Sequence, residues 1–129
     1  MSDMLTEDFC SFEVAKLLKE KGFDELCIFK YNSEGVRMKA GVAIDEWQNS
    51  ELDDDEYSCP SLAMAMKWLR EEKRTSIIIE FDVTKRGYCP YVYQLDYDMD
   101  WVVEWRVNTP MKYEEAVEAA LKYCLENLI

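Results

Sequence analysis

Four consecutive carboxylates, Asp53-Asp54-Asp55-Glu56, are the densest run of ionisable side chains in the sequence, and divalent-metal binding is the chemistry they suggest. An EF-hand loop needs alternating acids, a glycine at its sixth position and a glutamate at its twelfth. Counted from Asp53 those positions hold Ser58 and Met64, so the pattern fails. Consecutive carboxylates diverge in a loop, and the expectation is a solvated run with no metal site. Asp98-x-Asp100, between Tyr97 and Trp101, reads as a hairpin turn. Glu80 with Glu104, or Asp82 with Asp96, would be the acid/base pairs if they fell on neighbouring strands. A glycosidase-like pair requires a cleft of ~5–9.5 Å and unlike surroundings for the two acids. One small sheet face offers little of either.

Five cysteines (Cys10, Cys27, Cys59, Cys89, Cys124) are separated by 17, 32, 30 and 35 residues, so no pair has CxxC spacing. Zinc-knuckle and thioredoxin-like sites are unsupported, and the thiols are expected to be reduced, several of them buried as small hydrophobes. There is no histidine. That removes the imidazole base, the Ser-His and Cys-His nucleophile pairs and every His-ligated zinc. Phosphate-cradling and nucleophile-elbow strings are absent too, because the four glycines are scattered at Gly22, Gly35, Gly41 and Gly87. No catalytic, metal-binding or cofactor-binding residue is expected, and the chain is not expected to be an enzyme.

Charge sharpens the exclusion. Twenty-seven acids against 15 bases give a net charge of −12, a poor basis for gripping a phosphate backbone. Residues Met1–Ala65 hold fifteen acids and six bases, and Met66–Ile129 twelve acids and nine bases, so the excess divides −9 and −3. Seven of the twelve residues Asp45–Glu56 are acidic, with Trp47 the one aromatic among them. Such a strip could imitate phosphates and occupy a basic groove of another protein; solubility alone also favours acidic surfaces.

The elements follow from periodicity. Ser11 can cap a helix carrying Val14, Leu17 and Leu18, which Gly22 ends. Leu26–Tyr31, the turn Asn32-Ser33-Glu34-Gly35 and Val36–Ile44 make a hairpin, and Asp45–Glu56 reads as an exposed loop. Pro60 at a first helical position opens a helix from Ser61 to about Lys73, with Leu62, Ala65, Met66 and Leu69 on its core face, widened by Met64 and Trp68. Three strands follow. Ile77, Ile79, Phe81 and Val83 share one face, as do Tyr91, Tyr93, Leu95 and Tyr97, and then Trp101, Val103, Trp105 and Val107. Glu80, Asp82, Gln94, Asp96, Glu104 and Arg106 fall opposite. Turns at Lys85-Arg86-Gly87 and Asp98-Met99-Asp100 make the strands a meander, and a last helix runs from Tyr113 to about Leu128. The order α-β-β-α-β-β-β-α predicts an α+β fold: a single two-layer domain over residues 1–129, with one antiparallel sheet of about five strands and helices on one face. Its second half has the element order of a double-stranded-RNA-binding domain. Its net acidity argues against that use, and no direct nucleic-acid binding is expected.

Ser11–Glu25 (SFEVAKLLKEKGFDE), Pro60–Glu72 (PSLAMAMKWLREE) and Tyr113–Ile129 (YEEAVEAALKYCLENLI) together resemble a family of small, acidic, uncharacterised proteins from phages and mobile elements of gut anaerobic bacteria. The resemblance covers the three helices. It implies an intracellular accessory protein and supplies no activity, catalytic residue or ligand.

Seventeen aromatic residues concentrate on the strands, more than three modest helices can cover. Surplus Tyr and Trp on a protein surface mark contact centres, and open sheet edges offer a second route to pairing. The expected function is a non-catalytic intracellular protein-interaction module, with an unidentified protein partner and a possible homodimer. An acidic nucleic-acid mimic is the alternative, and a small carboxylate-dependent enzyme the second. The candidate interaction surface comprises Trp47, Asp53, Asp54, Asp55, Glu56, Tyr91, Tyr93, Trp101 and Trp105. Met1–Glu7 show no secretion signal and no run reaches the ~20 apolar residues of a membrane span, so a cytoplasmic location without membrane contact is expected.

Overall fold

Ser11 Oγ accepts a hydrogen bond from Val14 N at 3.2 Å and opens helix α1, Phe12–Glu20. Gly22, at φ 96°, ends it: Gly22 N donates to Lys19 O and Phe23 N to Leu18 O. This doubly bonded terminus turns the chain so that Phe23 is buried, edge-on to Trp68 with ring centroids 5.5 Å apart. The computed structural model describes residues 8–41, 46–95 and 100–129.

Strands β1 (Phe29–Tyr31) and β2 (Arg37–Lys39) form the expected hairpin; β1 begins three residues after Leu26, and residues 42–44 of the expected return strand lie outside the described residues. Asn32 Oδ1 accepts from Glu34 N and Val36 N, and Gly35 takes the φ of 79° that the turn needs. The segment after the hairpin does not stay a loop. Asn49–Glu51 form a 3₁₀ turn, and Tyr57–Ser58 become β3, antiparallel to β1 on the side away from β2. The interior of that segment is anchored by Asn49, 5% exposed, whose Nδ2 donates to Phe23 O at 2.7 Å and whose Oδ1 accepts from Ser58 N at 2.8 Å.

Helix α2 is Leu62–Glu72, capped by Ser61, whose Oγ accepts from Met64 N. Pro60 stands before the cap rather than inside the helix, because its carbonyl is used across the chain by Cys10 N at 3.0 Å. Trp68 lies with Leu62, Ala65 and Leu69 on the buried stripe, as expected, whereas Met66 is only partly covered and Met64, expected on the same stripe, is exposed. Strands β4 (Thr75–Asp82), β5 (Gly87–Leu95) and β6 (Trp101–Arg106) make the meander in the order β4-β5-β6. The left-handed residue of the first turn is Arg86, at φ 57°. Gly87 is required by space instead, since a Cβ there would come within 2.4 Å of Pro110 Cβ. Asp98 and Met99 of the second expected turn lie outside the described residues.

Helix α3, Tyr113–Asn127, buries Ala116, Val117, Ala120, Leu121, Cys124 and Leu125, with Glu114 and Glu115 at its positive N-terminal end. It packs on β4, β5, α1 and α2, and α1 packs on β3. The fold is α+β, but the strands divide into two three-stranded antiparallel sheets rather than one sheet of five. Residues from α1, α2, α3, β4 and β5 form one hydrophobic cluster, to which Phe29 of β1 and Tyr57 of β3 attach. Among the described residues no helix is long and apolar enough to cross a membrane.

Candidate interaction surface and thiol cleft

Cross-strand register fixes the faces of the second sheet. Thr75, Ile77, Ile79 and Phe81 pair with Gln94, Val92, Pro90 and Tyr88. Ile77 and Val92 are buried in the core, so this is the helix-covered face. Ser76, Ile78 and Glu80 pair with Tyr93, Tyr91 and Cys89 on the opposite face. The tyrosine stripe of β5 therefore faces away from the helices, and Gln94, read from sequence as opposite the aliphatic face, shares it. Pro90 and Val92, both buried, take the side of β5 on which α3 packs.

A β-bulge then splits β6. Val92 pairs with Trp105 but the next residue, Tyr93, pairs with Val103, leaving Glu104 without a partner position. Beyond the bulge Leu95 pairs with Trp101. Trp105, expected to share a face with Trp101 and Val103, points inward and stacks on Tyr123 of α3 (centroids 4.8 Å, interplanar angle 11°). Trp101 and Val103 point outward.

Three cross-sheet rows consequently line the uncovered face. Ile78, Tyr91 and Arg106 make the first; Ser76, Tyr93 and Val103 the second; Leu95 and Trp101 the third. The guanidinium of Arg106 lies 4.7 Å from the Tyr91 ring centroid and donates to its hydroxyl at 3.3 Å, which is why Tyr91 is buried on an outer face. Ile78, Val103 and Trp101 are 47%, 50% and 51% exposed.

The acidic residues are attached elsewhere. Lys30 Nζ of β1 lies 2.8 Å from Glu56 Oε2 and 4.9 Å from the centre of the Trp47 ring, so one lysine joins Trp47 to Glu56. Lys19 Nζ of α1 donates to the carbonyls of Asp53 and Glu56, both at 2.7 Å. The Lys30 ammonium holds the Glu56 carboxyl below the usual glutamate range. Asp53, Asp54 and Asp55 are exposed. The nine sequence-selected residues thus separate into an acidic group on the first sheet, three aromatics on the outer face of the second, and Trp105 in the core.

The proposed carboxylate pairs do not assemble as neighbours. Glu80 and Glu104 stand on β4 and β6, with β5 between them, and both are exposed. Asp96 lies outside the described residues. Among the described residues no group of three or more Cys, Asp or Glu side chains is placed to hold a metal ion.

No family model, curated protein or solved structure matches the chain.

One cluster has no counterpart in the spacing of the sequence. Phe9 bridges Ser61, which brings Cys10 beside Cys59 although they stand 49 residues apart. Cys59 Sγ donates to Cys10 O at 3.5 Å. Tyr31, closing β1, donates its hydroxyl to Cys10 O at 2.6 Å, and Arg37, the first residue of β2, lines the same cleft. Arg37 is held in place by the rings of Phe9 and Phe29, at 5.0 and 4.9 Å. An open cleft of about 640 Å³ adjoins the cluster, lined by Cys10, Tyr31 and Arg37 on one side and by Glu114, Glu115 and Glu118 of α3 on the other.

The thiols differ in acidity for identifiable reasons. The Cys10 thiol, the Tyr31 hydroxyl and Arg37 all favour the thiolate of Cys59 and lower its pKa against the cost of burial. The paired Cys59 sulfur and burial push Cys10 upward. Burial alone drives Cys124 up to about 12. Cys27 also rises to about 12 through burial, against the neighbouring Ser58 hydroxyl. Nothing in the sequence marks the Cys10–Cys59 pair, since their proximity depends on a single backbone bridge between residues that no periodicity connects.

Proposed function

We propose that the protein is a non-catalytic intracellular interaction module that self-associates through the outer face of its second sheet. The observation that carries this reading is the set of aligned rows that include Ile78, Val103 and Trp101, each about half exposed on a face that no helix among the described residues covers. Exposed apolar side chains gathered on one sheet face mark interaction surfaces. β6 is also an edge strand, so its unpaired backbone groups can extend the sheet across a two-fold axis. Five free thiols suit a reducing compartment.

Light scattering of the purified chain tests this directly. Self-association predicts a mass near twice the 15.3 kDa of one chain at micromolar concentration, returning to one chain in Trp101→Glu while the circular dichroism spectrum is unchanged. A wild-type mass of one chain at that concentration refutes it.

The acidic-mimic reading draws on the three exposed carboxylates Asp53, Asp54 and Asp55. Glu56 is not available to it, being paired to Lys30. A partner held by those carboxylates is released as salt rises, because screening shortens to ~3 Å at 1 M. An apolar dimer gains from the same salt. The mass measured at low and high salt therefore separates the two.

A further inference from the structure

We propose that the groove between helix α2 and the α1–β1 connection docks a partner-protein segment in which a large apolar side chain is flanked by lysine or arginine. One wall is a stripe of α2, where Met64, Lys67, Trp68, Glu71 and Glu72 follow the spacing of a single helix face. The other is formed by Glu25 and Leu26, between α1 and β1, together with Gln48. That second wall is held by the chain itself. Gln48 Nε2 donates to Asp24 O at 2.9 Å, and Phe23, two residues before Glu25, is buried edge-on to Trp68. The groove is therefore preformed. Its volume of about 400 Å³ falls in the range of binding pockets, ~300–1,000 Å³.

Apolar side chains and carboxylates are interleaved along it. Leu26 on one wall is 47% exposed and Met64 on the other 38%. Glu25, Glu71 and Glu72 stand against one lining lysine, Lys67, and all four are exposed. Among the described residues none of these three carboxylates forms an ion pair. Lys73, at the end of α2, is engaged with the Trp68 ring, its Nζ 5.4 Å from the centroid. Unpaired carboxylates beside exposed apolar side chains complement a segment that is basic and apolar together. The same charges repel a phosphate-bearing polymer, an anionic lipid surface and, at this rim, a second copy of a chain of net charge −12. The groove is open rather than enclosed, which suits a continuing polypeptide better than a free small molecule, since small-ligand sites cover ~70–90% of their ligand. It lies on α2 and the α1–β1 connection, not on the sheet face proposed for self-association.

The test is fluorescence anisotropy of a labelled peptide of alternating lysine and leucine, titrated with the full chain at low salt. Saturable binding is expected, with a loss of about tenfold or more when serine replaces the leucines or glutamate replaces the lysines. Met64→Ser, and separately Glu71→Lys with Glu72→Lys, should weaken binding by a similar factor. Both should leave the circular dichroism spectrum unchanged, because all three side chains are exposed. Neutralising Asp53, Asp54 and Asp55 together to asparagine, outside the groove, should have little effect. Trp101→Glu should bind the peptide as wild type does, so that failure of the self-association reading and failure of this one are separate results. The proposal is overturned if the serine peptide binds as well as the leucine peptide, or if neutralising Asp53–Asp55 weakens binding as much as the groove changes do. It is also overturned if Met64→Ser lowers the wild-type mass in light scattering, which would put a second copy in the groove.

Discussion

Replacing Asn49 by alanine should be among the most damaging single changes to the first sheet, and its size can be worked from two distances. Asn49 Nδ2 donates to Phe23 O at 2.7 Å and its Oδ1 accepts from Ser58 N at 2.8 Å. Both backbone partners belong to buried residues, Phe23 at 1% and Ser58 at 0% exposure. Alanine orphans both groups. An unsatisfied buried polar group costs about 1–3 kcal/mol, so the pair costs about 2–6 kcal/mol, and partial entry of water into the vacated volume favours the lower half of that range. A loss of about 3 kcal/mol in a domain of this length corresponds to a Tm lower by about 12 °C. Chemical denaturation followed by tryptophan fluorescence reads it, with an unchanged slope showing that the unfolded state is not altered.

Two companion variants isolate the cause. Ser50→Ala leaves the bond from Ser50 N to Asp24 Oδ1 intact and should change stability by less than about 0.5 kcal/mol. Asn49→Asp retains the acceptor for Ser58 N but loses the donor and buries a charge. Its folded-state pKa is raised above the unfolded value, so its deficit against wild type is full at neutral pH. The deficit shrinks as pH falls through the raised value, where the protonated carboxyl again donates to Phe23 O. A loss below about 1 kcal/mol for Asn49→Ala, or a pH-independent deficit for Asn49→Asp, would show that Asn49 is not the anchor of this segment.

Other changes probe other parts of the fold. Trp105→Ala should cost about 2–4 kcal/mol in a denaturant titration through loss of its contacts with the core and Tyr123, whereas Trp101→Ala, on the exposed side of the same strand, should cost under about 1 kcal/mol in the dissociated chain. Gly87→Ala forces a Cβ against Pro110 and should lower stability by about 1–3 kcal/mol, read as a lower Tm. Glu56→Gln should cost under about 1 kcal/mol at neutral pH. Because Lys30 holds the Glu56 pKa below its unfolded value, that contribution is present above the ordinary glutamate range and lost as pH falls through the depressed value. Wild type and variant stability curves should therefore meet at acid pH.

The helices were legible because each carries its own signals. Ser11 is the cap and Gly22 the stop of α1, and the apolar spacing of α2 and α3 needs no partner to be read, although α2 is capped by Ser61 and not opened by Pro60. The division into two sheets was not legible, since it turns on Tyr57-Ser58, two residues with no alternation to reveal them. Neither was the structure inside Asp45–Glu56. Seven acids mask the one buried asparagine that organises the segment. The candidate surface was legible in part. Tyr91, Tyr93 and Trp101 do converge on one sheet face, because strand periodicity alone puts alternate residues together. Which face the helices cover was not, since both faces of β5 are apolar and the choice rests on where α3 packs.

The bulge in β6 shows what a strand gains by breaking its own period. With unbroken alternation Trp101, Val103 and Trp105 share one face, and the two tryptophans must be buried together or exposed together. Burying all three would need a helix layer that reaches the Trp101 end of β6, where even Val102, on the helix-covered side, is 43% exposed. Exposing all three would remove Trp105 from Tyr123 and leave α3 without its stacked contact to the edge strand. One extra residue at Glu104 resolves the conflict, giving Trp105 to the core and Trp101 with Val103 to the outside. The outward residues are thus not a surplus left over from packing. They are placed on the rows already occupied by Tyr93 and Leu95, which makes the outer face continuous and supports its reading as a contact surface.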